Sequence, residues 1–433
     1  MLLSGRELRA IFEHFCPFDA DGNLLPADRR VTLLASNANI PLDIQARAFA
    51  MAAAAGRQSP MMVQVSYNSA ETIGNDTARI PVPEGVTRQD TEAAVVIGAR
   101  KLAETLYYHA ASYGARYLAL ALDHFQVPPY DEKVLSQVPK ARKNLARHLA
   151  EARVLHAAEY MYPVFGAEAK LTDKLMDLYV NYLVSPAYAT FRRNFLATVW
   201  AARPAWGMID TEKLPPILDF VVTREIVDSV RTLLGEKEMM IEAEFGATGQ
   251  SGQAVEYQRL TGDQLQQFAR QVASFVMYTG ADGIAYPIGM EHAAKKDEKH
   301  EPDEERLKVV QRELFLAVGK YVPFAQHGGT GAASIAKGLV GKNNINTHYL
   351  VAGANALADW VEKNVEGIRQ GDKKCAGTGL FMPMIQAVVD ATLGKLQEAG
   401  SRDTGDQVQA VLARLPQVKQ TEERFREVDH HAE

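Results

Sequence analysis

The sequence has few cysteines, no excess of basic residues and no long apolar run. Cys16 and Cys375 are its only cysteines and lie far apart, so no disulfide framework is implied and a reducing compartment fits. The 47 basic and 53 acidic residues give a net charge of −6, which does not predict a nucleic-acid-binding surface. Because there is no run of about 18 apolar residues and no signal peptide, we expect a cytoplasmic protein without a membrane span.

The composition is that of a large globular protein. The chain has 433 residues, 47% of them hydrophobic, which is enough for a large core. Short apolar or β-branched runs alternate with longer helical patterns, and this alternation predicts parallel β/α architecture. The predicted strands are Val31–Asn37, Met61–Ser66, Tyr117–Leu122, Trp206–Ile209, Met239–Phe245, Gly283–Ile288, Pro323–Gln326 and Asn344–Thr347. We therefore predict a single (β/α)8 TIM barrel, with its active site at the carboxyl ends of the strands.

Two segments exceed a minimal barrel. The interval of about 126–204 is longer than one β/α unit requires, and its periodic apolar positions predict a helical insertion after the third strand. The sequence does not decide whether this insertion is a lid, a dimer contact or a segment without a specific role. A helical C-terminal segment is predicted over about 352–433, with a polar tail from Thr421.

A glycine-rich segment follows the seventh predicted strand. His327 ends the apolar run, Gly-Gly-Thr-Gly follows it, and Ser334–Val340 is predicted to be helical. The imidazole can ligate a metal, while backbone N–H groups of the turn and the helix N-terminus can hold a phosphate. An ordinary turn with an incidental histidine is the alternative.

Polar and ionisable residues lie at or just beyond every predicted strand end. In chain order they are Asn37, Asn39, Ser66, Asp123, His124, Asp210, Glu242, Glu244, His292, His327, Asn344, Asn346 and Thr347. A single histidine there would more often be a packed or capping residue than a ligand. Three histidines from separate strands, with carboxylates beside them, suit a catalytic divalent metal that needs three protein ligands and one open position.

Five strings resemble, in order, the motifs of class II fructose-bisphosphate aldolases and related ketose-bisphosphate aldolases. They are LALDHF (120–125), IEAEFG (241–246), ADGIAYPIGMEHAAKK (281–296), AQHGGTG (325–331) and KNNINTH (342–348). Residues 36–66 are similar to the first β/α unit of that family, and the resemblance runs from about 30 to 360 without the insertion. It implies metal-dependent, reversible aldol cleavage of a phosphorylated ketose, through a zinc-stabilised enediolate of dihydroxyacetone phosphate. It also implies Zn²⁺ or another divalent metal, a possible monovalent cation and a homodimer.

The resemblance assigns roles to individual residues. The zinc ligands would be His124, His292 and His327, with Glu244 as a ligand or second-site residue and Asp210 beside it. Asp219 is the second choice for the position of Asp210. Asp123 would exchange the proton of the hydroxyl next to the scissile bond. The substrate-binding residues would be Gly328, Gly329 and Thr330 at the phosphate with Lys296 nearby, Asn344 at the enediolate, Asn37 and Ser66 in the pocket, and Asn346 and Thr347.

The sequence also departs from the family pattern. The loop after the fifth strand carries Gln250 and Gln253 where the family has a proton-exchanging glutamate, so Glu256 is the candidate replacement. Asn346 and His348 replace aspartates near the aldehyde part of the substrate, and Ala293 replaces a phosphate-side glycine. We therefore expect a substrate that differs from fructose 1,6-bisphosphate.

Three other functions fit the sequence less well. A Schiff-base aldolase needs a lysine at a strand end, whereas Lys296 and Lys342 are better explained by the phosphate region. A barrel metallohydrolase needs a His-x-His pair on the first strand, which the sequence does not have. A non-catalytic or regulatory sugar-phosphate-binding relative would explain the missing loop glutamate, but it would not need Asp123 and the three histidines.

Overall fold

The structure is a computed structural model that describes residues 2–39, 41–75, 93–130, 147, 157, 160, 164, 172–246, 259–289 and 300–416. Eight parallel strands close into a barrel in chain order, with the last strand paired to the first. They are β1 Leu33–Asn37, β2 Met61–Ser66, β3 Leu118–Gln126, β4 Trp206–Asp210, β5 Met240–Glu244, β6 Gly283–Ala285, β7 Phe324–Gln326 and β8 Val340–Ile345. The predicted (β/α)8 TIM barrel is confirmed.

Helices surround the barrel in the part of the chain that is described. They are α1 Gly5–His14, α2 Leu42–Ala55, α3 Tyr67–Gly74, α4 Ala94–Tyr113, α5 Thr172–Leu183, α6 Pro186–Ala202, α7 Pro216–Leu234, α8 Gly262–Thr279, α9 Glu304–Val318, α10 Thr347–Arg369, α11 Lys373–Ala376, α12 Thr378–Ala399 and α13 Gly405–Leu412. A short 3₁₀ helix covers Ala27–Arg29. The strands are buried on both faces, because one face points into the barrel and the other lies under helices.

The N-terminal end of the barrel is closed by α1. Ser4 and Glu7 form a capping box that starts this helix. The buried Phe12 lies with its ring centroid 5.4 Å from that of Trp206 on β4, and Leu3 N donates to Leu118 O at 2.8 Å. The opposite, carboxyl end of the strands is therefore the end left for a site.

The interval between β3 and β4 contains two described helices. Helix α6 packs against α4 and α7, so it occupies the place of the barrel's third outer helix, and α5 is additional to the repeat. The stacked rings of Phe191 and Phe195 lie at 5.8 Å in this interface. Within the predicted helical insertion, Pro186–Ala202 is helical, whereas most of residues 131–171 lie outside the described residues.

The prediction between β7 and β8 was wrong in two respects. Ser334–Val340 is not helical; Ala333 N instead donates to His300 O at 3.0 Å, and Gly338 adopts a φ of +75° in a turn. Strand β8 begins at Val340 and ends at Ile345, before the predicted bound of Thr347, which is the first residue of α10. The polar residues Lys342, Asn343 and Asn344 made this strand hard to predict, because Lys342 and Asn344 share the face that points into a polar barrel interior.

The C-terminal segment is helical as far as Leu412, and the polar tail from Thr421 lies outside the described residues. Helix α12 packs against α2 and β1 and completes the outer layer of the barrel. The segment Lys373–Ala399 is long and apolar enough to cross a membrane by length and composition alone. Because the core helix of a globular barrel has the same composition, this is weak grounds for a membrane span.

Candidate active site

Asp123 and His124 lie within β3 rather than beyond it. Leu122 pairs with Gly207 and Phe125 pairs with Ile209, so two residues of β3 oppose one residue of β4. This is a β-bulge, and His124 adopts a φ of +44° in it. The bulge interrupts the alternation of the strand, which places neighbouring polar side chains at the mouth. The predicted end of this strand at Leu122 was therefore wrong.

The carboxylate of Asp123 is held between two amides. Asn37 Nδ2 donates to Asp123 Oδ2 at 2.9 Å, and Asn344 Nδ2 donates to Oδ1 at 3.1 Å. Gln64 Nε2 in turn donates to Asn37 Oδ1 at 2.7 Å. All four side chains are buried or nearly so. Strands β1, β2, β3 and β8 together thus hold one carboxylate in one orientation, and a carboxylate with two such bonds still has lone pairs for a substrate proton.

His124 is oriented by a second carboxylate. Its Nδ1 lies 3.1 Å from Asp210 Oδ2, and Glu212 N donates to Asp210 Oδ1 at 3.2 Å. Burial lowers the pKa of His124, but the charges of Asp123, Asp210 and Glu244 outweigh it and raise the pKa to about 9. Burial raises the pKa of Asp210, and its bond to His124 more than reverses this. The mouth of the barrel therefore attracts a positive charge at His124.

His327 is oriented by a third carboxylate, deeper in the barrel. Its Nε2 lies 2.8 Å from Glu242 Oε1. Burial and the neighbouring His124 lower the pKa of His327, so its charged form is disfavoured where that of His124 is favoured. The two rings meet edge to face with centroids 4.5 Å apart. Two of the three predicted ligand histidines thus converge on one point.

The donor set fits part of a metal site. Metal-binding histidines commonly have one ring nitrogen hydrogen-bonded to a carboxylate, which directs the other nitrogen to the metal. His124 and His327 both have this arrangement, and Glu244 is buried beside them. Within the described residues no group of three or more His, Cys, Asp or Glu side chains is arranged to hold a metal ion. His292, the third predicted ligand, lies outside the described residues, as do Glu256 and Lys296.

The glycine-rich turn after β7 packs against β8. Gly328 has a φ of +70°, and a Cβ on Gly329 would come within 2.6 Å of Asn344 O, so both positions need glycine. Gly329 N donates to Asn344 O at 3.1 Å and Gly331 N donates to Gly328 O at 2.9 Å. Two of the N–H groups expected to bind phosphate are therefore used within the protein. No helix follows the turn here, so the expected helix N-terminus is absent as well.

Ser66 and Asn346 belong to a second polar chain at the mouth. Ser66 Oγ donates to Ser69 Oγ at 3.0 Å, Ser69 Oγ donates to Asn39 Oδ1 at 2.9 Å, and Asn39 Nδ2 donates to Asn346 Oδ1 at 2.7 Å. Thr347 follows as the first residue of α10. The predicted residues Ser66 and Asn346 are thus linked by Asn39 and by Ser69, which sequence reasoning missed because Ser69 lies on a helix rather than at a strand end.

Lys342 is not in a phosphate region, contrary to expectation. It is fully buried in the barrel, where its Nζ donates to Glu242 Oε2 at 2.8 Å. Trp206 Nε1 donates to the same oxygen at 2.7 Å. Glu242 was noted only as a strand-end residue, and neither Lys342 nor Trp206 was predicted to contact it. The signal that could have found Lys342 is its place two residues before Asn344 on one strand, since such residues share a face.

Asp219 lies on α7 rather than at the end of β4. Thr223 Oγ1 donates to its Oδ1 at 2.9 Å. Burial raises its pKa to about 7, and the charge of Asp210 adds to the rise. Asp210, and not Asp219, is the residue in contact with His124.

A closed parallel barrel with ionisable side chains at the carboxyl ends of its strands is the architecture that (β/α)8 enzymes use. Residues 207–404 match the family model of class-II fructose-bisphosphate aldolase. The crystal structure of fructose-bisphosphate aldolase from Campylobacter jejuni is similar, with a TM-score of 0.55 and 16% identity over 93% of this chain and 96% of that chain. The structure of the monotopic membrane protein (S)-mandelate dehydrogenase gives a TM-score of only 0.26, at 12% identity over 93% of this chain and 89% of that one, and supports no inference.

Residues 207–404 are therefore similar to class-II fructose-bisphosphate aldolases. The aligned crystal structure shares only 16% identity and so supports the fold alone, and no curated protein matches significantly.

Proposed function

We propose that this protein is a metal-dependent, class II aldolase-like lyase that cleaves and forms a C–C bond in a phosphorylated ketose. The observation that supports this most is the arrangement of Asp123. Its carboxylate is fixed by Asn37 and Asn344, and its neighbour His124 lies against His327, with ring centroids 4.5 Å apart. A positioned acid/base beside a pair of oriented imidazoles is what metal-assisted aldol chemistry needs.

The metal would be held by His124, His327 and His292, with Glu244 and Asp210 beside them. Zn²⁺ suits three histidines, and when bound it supplies a Lewis acid that favours negative charge next to a carbonyl. Asp210 and Glu242 keep the two described imidazoles in place by contacts of 3.1 and 2.8 Å. The excess of carboxylates around His124 favours any cation there.

Asp123 would move the proton. In the cleavage direction its carboxylate takes the proton of the hydroxyl next to the scissile bond. The C–C bond then breaks, the oxygen forms the carbonyl of the aldehyde product, and the bonding electron pair remains on the carbon next to the ketone. Asn344 and Asn37 hold the carboxylate during this step. Glu256 is the proposed residue for returning a proton to that carbon.

The substrate would be a ketose phosphate, as the family name implies. Gly328, Gly329, Thr330 and Lys296 remain the proposed phosphate region, with the N–H groups of Gly329 and Gly331 already bonded within the protein. Elsewhere at the mouth of the barrel, the hydrogen-bonded side chains of Asn39 and Asn346 are uncharged. We infer from this neutral chain that the aldehyde part of the substrate differs from that of fructose 1,6-bisphosphate. A cytoplasmic homodimer without nucleic-acid or membrane partners completes the proposal.

The test is chelator-sensitive cleavage of a panel of ketose phosphates that includes fructose 1,6-bisphosphate. We expect cleavage of at least one of them, loss of activity after chelation and recovery with Zn²⁺. H124A, H292A and H327A should each lose bound metal and most activity. H14A, which changes an exposed histidine of α1 at the closed end of the barrel, is the matched control.

Metal retained at wild-type stoichiometry in all three site variants would contradict the ligand assignment. Binding of a ketose phosphate with a stoichiometric metal but no cleavage of any panel member would instead favour the non-catalytic relative.

A further inference from the structure

Three side chains deep in the barrel share one carboxylate. Glu242 Oε2 accepts from Lys342 Nζ at 2.8 Å and from Trp206 Nε1 at 2.7 Å, while Oε1 lies 2.8 Å from His327 Nε2. Glu242, Lys342 and Trp206 have 0% relative exposure, and His327 has 6%. We call Glu242, Lys342 and Trp206 the floor network of the site.

We propose that Glu242 is a positioning residue for His327, and that Lys342 and Trp206 keep one of its oxygens directed at that imidazole. The inference rests on the proposed function in that His327 serves as a metal ligand.

The two carboxylate oxygens of Glu242 have different partners. Because Oε2 is used by two donors from β8 and β4, the carboxylate cannot rotate without breaking both bonds. Oε1 is then left for His327, which directly follows β7, and a carboxylate beside Nε2 requires the proton on that nitrogen. In this tautomer the lone pair lies on Nδ1, as in a metal-binding histidine with a carboxylate partner.

Charge balance explains why a buried carboxylate persists here. A buried carboxylate without partners would take up a proton, whereas Lys342 supplies the compensating charge at 2.8 Å. Glu242 thus has a charged partner at Oε2, while Oε1 lies beside the imidazole of His327.

Trp206 connects this network to the closed end of the barrel. Its ring packs on Phe12 of α1 at 5.4 Å, and Lys342 Nζ lies 5.4 Å from its ring centroid. The indole therefore has a fixed place from which to donate. The floor network joins strands β4, β5 and β8 to His327, which directly follows β7, so residues of three strands determine one ring orientation.

The test uses charge-neutral double variants, so that no buried charge is left without a partner. E242L/K342M removes the acceptor, whereas E242Q/K342M keeps a carbonyl acceptor of similar shape. We expect E242L/K342M to weaken Zn²⁺ affinity 10- to 100-fold, measured by competition with a chromophoric chelator. E242Q/K342M should recover most of that loss. If E242L/K342M does not fold, W206F/E242L/K342M, which also removes the unpaired indole N–H, takes its place.

The tautomer of His327 gives a readout that needs neither metal nor activity. In ¹⁵N-histidine-labelled, metal-free protein, long-range ¹H–¹⁵N spectra should show His327 protonated at Nε2 in the wild type and in E242Q/K342M. In E242L/K342M the two tautomers should be mixed. H327A identifies the resonance among the 11 histidines.

The matched control is R9M/D282N, which removes a partly buried ion pair away from the mouth, with Arg9 Nη1 2.7 Å from Asp282 Oδ1. It should lower the unfolding midpoint without changing Zn²⁺ affinity or the His327 tautomer. Wild-type affinity and an unchanged tautomer in E242L/K342M would overturn the inference while leaving the proposed function intact. If the wild type itself binds no Zn²⁺, the proposed function fails, and the tautomer measurement still decides the positioning role of Glu242.

Discussion

His124 pairs a chemical role with an unusual backbone conformation. A non-glycine residue with a φ of +44° costs on the order of 1–3 kcal/mol, and such strain persists only where the surrounding structure determines it. The bond of its Nδ1 to Asp210 and the contact of its ring with His327 provide that surrounding structure. The strained position is the one that brings an imidazole next to Asp123.

The role of Asp123 predicts a clear result for D123N. The amide keeps the size of the side chain but cannot take up a proton at neutral pH, so kcat for ketose phosphate cleavage should fall about 10²- to 10⁴-fold. Zn²⁺ content, measured by elemental analysis, should stay at the wild-type level because Asp123 is not one of the proposed ligands. Wild-type kcat in D123N would remove Asp123 from the mechanism.

The buried Asp219 predicts that D219N is more stable than the wild type at high pH but not at low pH. Its carboxyl ionises near pH 4 in an unfolded chain but only near pH 7 in the folded protein, because burial disfavours its charge. The folded state therefore loses stability as pH rises from 4 to 7, and the loss is constant above that. D219N, which cannot ionise, should be more stable than the wild type at pH 8 by up to about 4 kcal/mol, with no difference near pH 4.

Urea denaturation at the two pH values measures this difference. The control is D359N, an exposed aspartate of α10, which should show no pH-dependent change relative to the wild type. A stability difference for D219N that is the same at pH 4 and pH 8 would contradict the ionisation argument.

At the scale of single elements, α1 closes the barrel and predicts a large effect for F12A. Phe12 is 2% exposed and packs on Trp206, so its loss leaves a cavity and should cost about 3–5 kcal/mol of unfolding free energy. The control is F381A, whose side chain is 48% exposed and should change stability by less than about 0.5 kcal/mol. Denaturant unfolding compares them, and equal stability of the two variants would mean that α1 does not contribute to the core.

The strands near the site were the hardest elements to predict. Strand β3 was expected to end at Leu122, but the bulge at Asp123 and His124 lets it continue to Gln126. Strand β8 was placed too late, because Lys342, Asn343 and Asn344 are polar although they are buried. Hydrophobic pattern finds strands whose two faces are apolar, and it fails where one face lines a polar site.

At the scale of the whole molecule, alternation of strands and helices was enough to predict the closed barrel. The same alternation does not predict what contacts the outer surface of the helices. Helices α10 and α12 expose Val351, Val361, Val365, Phe381 and Met382. Exposed apolar side chains of this kind fit a contact between subunits, but the homodimer remains a prediction.

The sequence by itself determined the fold class and the identity of the candidate site residues. Periodicity sets the order of strands and helices, parallel barrels place their sites at the carboxyl ends of strands, and the motifs put Asp123, His124 and His327 there. These features are local in sequence, so they can be read before the chain is folded.

Only the tertiary structure decided which side chains touch. The contacts of Asp123 with Asn344, of His124 with Asp210 and of His327 with Glu242 join residues 221, 86 and 85 positions apart. Barrel closure and a one-residue bulge set these contacts, and neither leaves a periodic signal in the sequence. The burial of Lys342 beside Glu242 has the same origin, because the charge of each is tolerated only where the fold brings the other.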